Sequence, residues 1–219
     1  MTKKLVGEFI GTFFLVLAGT GAIVVNEYSK GAITHAGIAI TFGLVVMALI
    51  YALGDVSGAH FNPAVTIAFT VAGKFPLAQV LPYIVSQVIG ALAASYLLLY
   101  LFPNNSVHLG ATLPAAGISA VQAFIMELLL TFLLMFVIMK VAHGSKEVGM
   151  FAGIAIGSVV LLEAMFAGPI CGASMNPARS LAPAIASGNL QHIWVYLIAP
   201  VVGAIASIFL YQYLKIENN

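Results

Sequence analysis

The chain is a series of long apolar runs separated by short polar joints. Six runs are long enough to cross a bilayer, which takes roughly 20 helical residues. They cover about 5–25, 34–54, 82–102, 117–141, 148–168 and 191–214. Two further apolar stretches, after Asn62 and after Asn176, last only about ten residues and are too short to span. Each opens on Asn-Pro-Ala, as Asn62-Pro63-Ala64 and Asn176-Pro177-Ala178. That triplet is a helix start, because Asn caps and Pro fits the first helical position. A helix that begins inside a membrane is costly unless it lines a polar cavity. The pattern therefore predicts an all-α membrane protein with six transmembrane helices and two re-entrant half-helices around a pore.

The two halves repeat beyond the triplet. Glu8-x-x-x-Thr12-Phe13 returns as Glu127-x-x-x-Thr131-Phe132, and Gly37-Ile38-Ala39-Ile40 as Gly153-Ile154-Ala155-Ile156. Glu8 and Glu127 are 119 positions apart and Asn62 and Asn176 are 114 apart, so the copies run in register with small insertions. Three spans per half insert the second half upside down, giving an inverted 3+3 repeat with its site near the midplane. The expected organisation is one membrane channel domain over 1–219, with halves of about 1–110 and 116–219. They are joined by a segment holding Pro103, Asn104, Asn105 and Pro114.

Composition and charge narrow this further. The 219 residues are 62% hydrophobic and 7% charged, with a mean hydropathy of +1.09, whereas a soluble domain carries about 25% charged residues. A net charge of +1 gives no reason to expect a nucleic-acid partner. The single cysteine excludes an intramolecular disulfide and a four-cysteine zinc site. Glu8 interrupts the first apolar run, which also extends past a typical signal-peptide core, so it is expected to be a retained span. Lys3, Lys4, Lys74, Lys140, Lys146 and Lys215 fall on one side of the six-span arrangement and Lys30 on the other. Both termini are then expected in the cytoplasm, with the Asn62 loop entering from inside and the Asn176 loop from outside.

The chemistry follows from the paired helix starts. Each half-helix turns its positive dipole end toward the midplane, and two such ends at one point disfavour a cation and a migrating proton. Each Asn oxygen caps its own helix, leaving the NH2 group free to donate into the lumen. The backbone before each Asn, Gly58-Ala59-His60 and Gly172-Ala173-Ser174, offers carbonyls to the pore. Glu8 and Glu127 are duplicated intramembrane acids. They are read as loop supports accepting backbone N–H groups, with a proton or cation relay as the alternative. Arg179 either snorkels to the interface or faces the lumen, repelling cations and donating to solute oxygens.

With these motifs in place, the chain resembles the aquaporin and aquaglyceroporin (major intrinsic protein) family along essentially its whole length. The run from Gly168 to Leu181, which contains Asn176, Pro177, Ala178 and Arg179, looks like the plant nodulin-like subgroup and its bacterial relatives. The resemblance implies the aquaporin fold, one pore per subunit and a homotetramer in the plasma or inner membrane. It needs no cofactor and no metal, and its partners are water, small neutral solutes and lipid. It places a selectivity filter on Phe42, Ala164, Ala173 and Arg179, and pore-lining roles on Gly58, Ala59, His60, Cys171 and Gly172. Water-selective members usually carry histidine where Ala164 stands, and glycerol facilitators an Asp where Ser180 stands. The two alanines imply an opening wider and less polar than a strict water channel, so glycerol, urea or undissociated metalloid acids are expected to pass. A strictly water-selective pore is the alternative.

Glu163 stands where the nodulin-like pattern usually has Asn. It is read as an acid hydrogen-bonded to loop backbone, or as a pore-side carboxylate paired with Arg179. Cys171 near the mouth implies moderate mercurial sensitivity, and His35, His108, His143 and His192 near span ends are expected to be solvated. His143 with Lys146 and Glu147 is compatible with pH sensing or with a plain solvated loop. A secondary transporter would need a coupling site that the few membrane acids do not supply. A membrane enzyme would need a nucleophile–base or metal-ligand cluster, which does not stand out in the sequence. A closed pore with a structural or adhesive role is the remaining alternative.

Overall fold

The computed structural model describes residues 1–103, 108–142 and 144–214. Among them, every regular element is helical: α1 Thr2–Tyr28, α2 Thr34–Ser57, α3 Pro63–Val71, α4 Leu77–Leu101, α5 Ala120–Ala142, α6 Lys146–Met150, α7 Ala152–Cys171, α8 Pro177–Ser187 and α9 Ile193–Tyr213. α1, α2, α4, α5, α7 and α9 are long and apolar enough to cross a membrane. α3 and α8, with nine and eleven residues, rise only about 14 and 17 Å, roughly half the hydrocarbon thickness.

Two span limits differ from the sequence expectation. α4 begins at Leu77, not at about 82, and carries Pro82 inside it. The proline removes one hydrogen bond near the helix start without ending the helix. The span expected to open at about 148 is divided. Ser145 caps the short α6 by accepting from the Val148 N–H, and the chain breaks at Phe151 before α7. The exposed Glu147 carboxyl lies below the ordinary carboxylate range, held there by its own backbone N–H and by Ser145. His143, Asn104, Asn105 and Lys215 lie outside the described residues.

Close helix crossings set the packing. A Cβ on Gly90 of α4 would lie 2.4 Å from the Phe9 carbonyl oxygen of α1. A Cβ on Gly203 of α9 would lie 2.1 Å from the Leu128 carbonyl oxygen of α5. Phe9 and Leu128 are 119 positions apart and Gly90 and Gly203 are 113 apart, close to the repeat's offsets of 119 and 114, so the same contact is built once in each half. Small residues let helix backbones approach, which is how helices associate where lipid is as apolar as the side chains. α2 and α7 meet similarly: a Cβ on Gly43 or on Gly157 would lie 2.6 Å from the other's carbonyl oxygen. Large apolar side chains such as Leu81, Tyr100 and Phe209 cover the outside. Among the buried polar residues, Glu8, Ser57, Asn62, Thr66 and Gln87 hydrogen-bond around one half-helix start, and Glu127, Ser174, Asn176 and Ser180 around the other.

Candidate functional site

The two loops that lead into α3 and α8 have the same backbone course. Gly58 and Gly172 end α2 and α7 at φ +89°, a left-handed turn that glycine adopts without a Cβ clash. Ala59 and Phe61 follow at φ 51° and 48°, and Ala173 and Met175 at φ 43° and 55°. Non-glycine residues in this region cost about 1–2 kcal/mol each, so the surroundings must hold them. Glu8 and Glu127 sit behind the loops, both fully buried. Glu8 accepts from the His60 N–H at 3.0 Å and the Phe61 N–H at 2.7 Å, and also from Ser57 Oγ and Gln87 Nε2. Glu127 accepts from the Ser174 N–H at 2.8 Å and the Met175 N–H at 2.9 Å.

Two further residues complete this scaffold, and sequence reasoning passed over them. Tyr83 donates its hydroxyl to the Ser57 carbonyl at 2.8 Å, and Tyr196 donates to the Cys171 carbonyl at 2.7 Å. Both carbonyls belong to the last helical residue before the left-handed glycine. The signal was present in the spacing, since Tyr83 and Tyr196 are 113 positions apart. The loops are also pinned from within. His60 Nδ1 lies 3.1 Å from Thr66 Oγ1, and the Ser174 and Ser180 hydroxyls share a hydrogen bond at the matching positions.

The half-helices meet at their starts. The Asn62 oxygen accepts from the Ala64 N–H, and the Asn176 oxygen from the Ala178 and Arg179 N–H groups. Asn62 Nδ2 donates to the Met175 carbonyl at 2.7 Å, and Asn176 Nδ2 donates to the Phe61 carbonyl at 2.8 Å. The expectation that the whole NH2 group faces the lumen is therefore corrected. Each amide has two hydrogens and spends one on the opposite loop, leaving one per residue.

A cavity of about 440 Å3 passes this meeting point. Asp55, Tyr51 and Gly149 line one end. Gly58, Ala59, His60, Asn62 and Asn176 line the middle, and Phe42, Ala164, Ala173 and Arg179 line the other end. The facing wall is apolar, with Leu15, Val46, Leu134 and Ile156. Arg179 is almost fully buried and does not snorkel. It donates from Nη1 to the Gly110 carbonyl at 2.7 Å, and its guanidinium stands 5.1 Å from the centre of the Phe42 ring. The joining segment braces this end, with Thr112 Oγ1 donating to Ser180 Oγ and the Ala115 N–H donating to the Ile170 carbonyl.

Three expectations fail on geometry. Cys171 and Gly172 do not line the cavity. The turn at Gly172 directs them to the back of the loop, where Cys171 is fully buried with its thiol toward the Ala167 carbonyl and Gly172 packs on Thr112. Glu163 fits neither reading. It is fully buried, off the cavity lining, and among the described residues neither carboxyl oxygen has a hydrogen-bond partner. His35 is exposed but not merely solvated, since Nε2 lies 2.7 Å from the Met165 carbonyl.

The comparisons with known proteins agree with this arrangement. The model of the family described as major intrinsic protein matches residues 1–211. Nodulin-26 of Glycine max is 51% identical over 217 residues, covering 99% of this chain and 79% of its own length. Aquaporin NIP1-1 of Zea mays is 46% identical over 217 residues, covering 99% and 76%. The structure of the aquaglyceroporin from Plasmodium falciparum superposes with a TM-score of 0.88 at 29% identity, covering 97% of this chain and 96% of that one. With six apolar spans, two half-helices and paired Asn-Pro-Ala starts on one cavity, the chain belongs to the major intrinsic protein family, as a passive membrane channel for water and small solutes.

Proposed function

We propose that the pore admits water together with small uncharged solutes, namely glycerol, urea or undissociated metalloid acids, and excludes protons and ions. The carrying observation is that Ala164 and Ala173 both line the cavity at its Arg179 end. Two of the four filter side chains are thus single methyl groups, and only Phe42 and Arg179 have bulk there. The Phe42 ring supplies an apolar face for a carbon skeleton, and the guanidinium is a fork for solute hydroxyls. Exclusion of cations rests on Arg179 and on the converging N-termini of α3 and α8. A water at the centre receives one N–H each from Asn62 and Asn176. With both lone pairs occupied, it cannot accept a proton from its neighbour.

The same reading gives a single channel domain, with halves of about 1–110 and 116–219 as inverted copies. It also gives a homotetramer in the plasma or inner membrane with both termini cytoplasmic. Stopped-flow light scattering of proteoliposomes with water, glycerol and urea gradients is the test. Water permeation with glycerol and urea both excluded would replace this reading with a strictly water-selective pore.

A further inference from the structure

α7 carries a proline inside it, Pro169. Proline has no N–H, so the carbonyl four residues earlier loses its helical donor. That carbonyl belongs to Met165, the residue after Ala164. His35, in the first turn of α2, points Nε2 at this oxygen from 2.7 Å. A carbonyl only accepts, so Nε2 carries the proton and donates. The imidazole also lies against Gly168, where an added Cβ would stand 3.0 Å from the ring. α4, α8 and α9 contain Pro82, Pro183 and Pro200 in the same way. Among the described residues, the Met165 carbonyl is the only one of the four so freed that receives a side-chain donor.

The position of this bond gives it a consequence. α2 carries Phe42 seven residues after His35, about two turns along the same face, and α7 carries Ala164 beside Met165. The two helices are held in the middle by the Gly43–Gly157 crossing. At the Asp55 end they are held by the Tyr51 ring, which packs on Gly153 of α7, while its hydroxyl donates to the carbonyl of Met150, the last residue of α6, at 3.2 Å. At the Arg179 end, the His35–Met165 bond is the side-chain hydrogen bond that joins them among the described residues.

We propose that His35 is a positioning residue for selectivity: it clasps α2 to the proline-freed carbonyl of α7 and thereby fixes the separation of Phe42 and Ala164. This rests on the reading of those two residues as filter walls. Without the clasp the freed carbonyl turns to solvent, the helix ends part, and the opening admits larger solutes more readily.

The test is the glycerol-to-water permeability ratio in proteoliposomes. His35→Phe keeps a ring over Gly168 and removes the donor, and it is expected to raise the ratio about threefold or more, the equivalent of one net hydrogen bond. His35→Gln retains an N–H donor and is expected to stay near the parental ratio. Pro169→Ala restores a helical N–H to the Met165 carbonyl, so adding His35→Phe to it is expected to change nothing further. His35→Leu replaces the phenylalanine variant should that one not assemble. An unchanged ratio in His35→Phe, an equal shift in His35→Gln, or the same shift with Pro169→Ala present overturns the proposal. Ala164→Phe tests the filter reading separately, because occlusion there does not depend on His35.

Discussion

Asn62 donates to the Met175 carbonyl at 2.7 Å, and the bond is returned by Asn176 to the Phe61 carbonyl at 2.8 Å. Each half of the repeat therefore holds the other's loop with the same side chain that caps its own half-helix. Aspartate remains a good cap but cannot donate, and it sets an oxygen against the carbonyl. Asn62→Asp and Asn176→Asp are each expected to lower stability by about 1–3 kcal/mol, read as a lower unfolding temperature of the purified channel. Because both bonds join the same two loops, the double variant should lose less than the sum. Full additivity would mean that the two bonds act independently.

The acids behind the loops are not equivalent. Glu8 takes four N–H and O–H donors on its two oxygens, whereas Glu127 takes two backbone N–H groups and the Cys171 thiol, a weak donor. Glutamine offers one accepting oxygen, so Glu8→Gln strands two strong donors, whereas Glu127→Gln strands one backbone N–H and at most the weakly donating Cys171 thiol besides. At about 1–3 kcal/mol for each buried group left unpaired, Glu8→Gln is expected to be the more damaging change. Thermal unfolding of both variants ranks them, and the reverse order would show that the Ser57 and Gln87 bonds contribute little.

The sequence carried the frame of the channel because the frame is built twice. The duplicated Asn-Pro-Ala starts, the paired acids and the six apolar runs are each visible as a repeat or a length. Partners that cross between elements were less legible. The bond from Asn62 to Met175 joins residues 113 apart, and no local pattern marks a backbone carbonyl as its acceptor. Cys171 failed for a related reason. Its distance from Ala173 along the chain says nothing of the left-handed turn at Gly172 that sends the two residues to opposite sides of the loop. His35 could have been paired with Pro169 only by knowing that α2 and α7 lie side by side.

That turn makes mercurial response a direct probe of the loop. Cys171 is fully buried behind it, and Ala173 lines the cavity. The parental channel is expected to keep its water permeability under mercuric chloride. Ala173→Cys, made in a Cys171→Ser background, is expected to lose most of it and to recover with a thiol reductant. Inhibition of the parent, abolished by Cys171→Ser, would place the thiol on the water path after all.

Glu163 presents the opposite case to Glu8: a carboxyl that is fully buried with no hydrogen-bond partner on either oxygen among the described residues. An unpaired buried polar group costs about 1–3 kcal/mol by mutational measure, and an apolar replacement of similar length removes that cost while filling the same space. Glu163→Met is therefore expected to stabilise the channel, raising the unfolding temperature by about 2–4 °C per kcal/mol recovered. Glu163→Gln keeps unpaired polar atoms in place and is expected to gain less. Because Glu163 does not line the cavity, the glycerol-to-water permeability ratio should not move in either variant. Destabilisation by methionine would mean that the carboxyl holds a buried water or another partner. A changed ratio would return it to the filter beside Ala164.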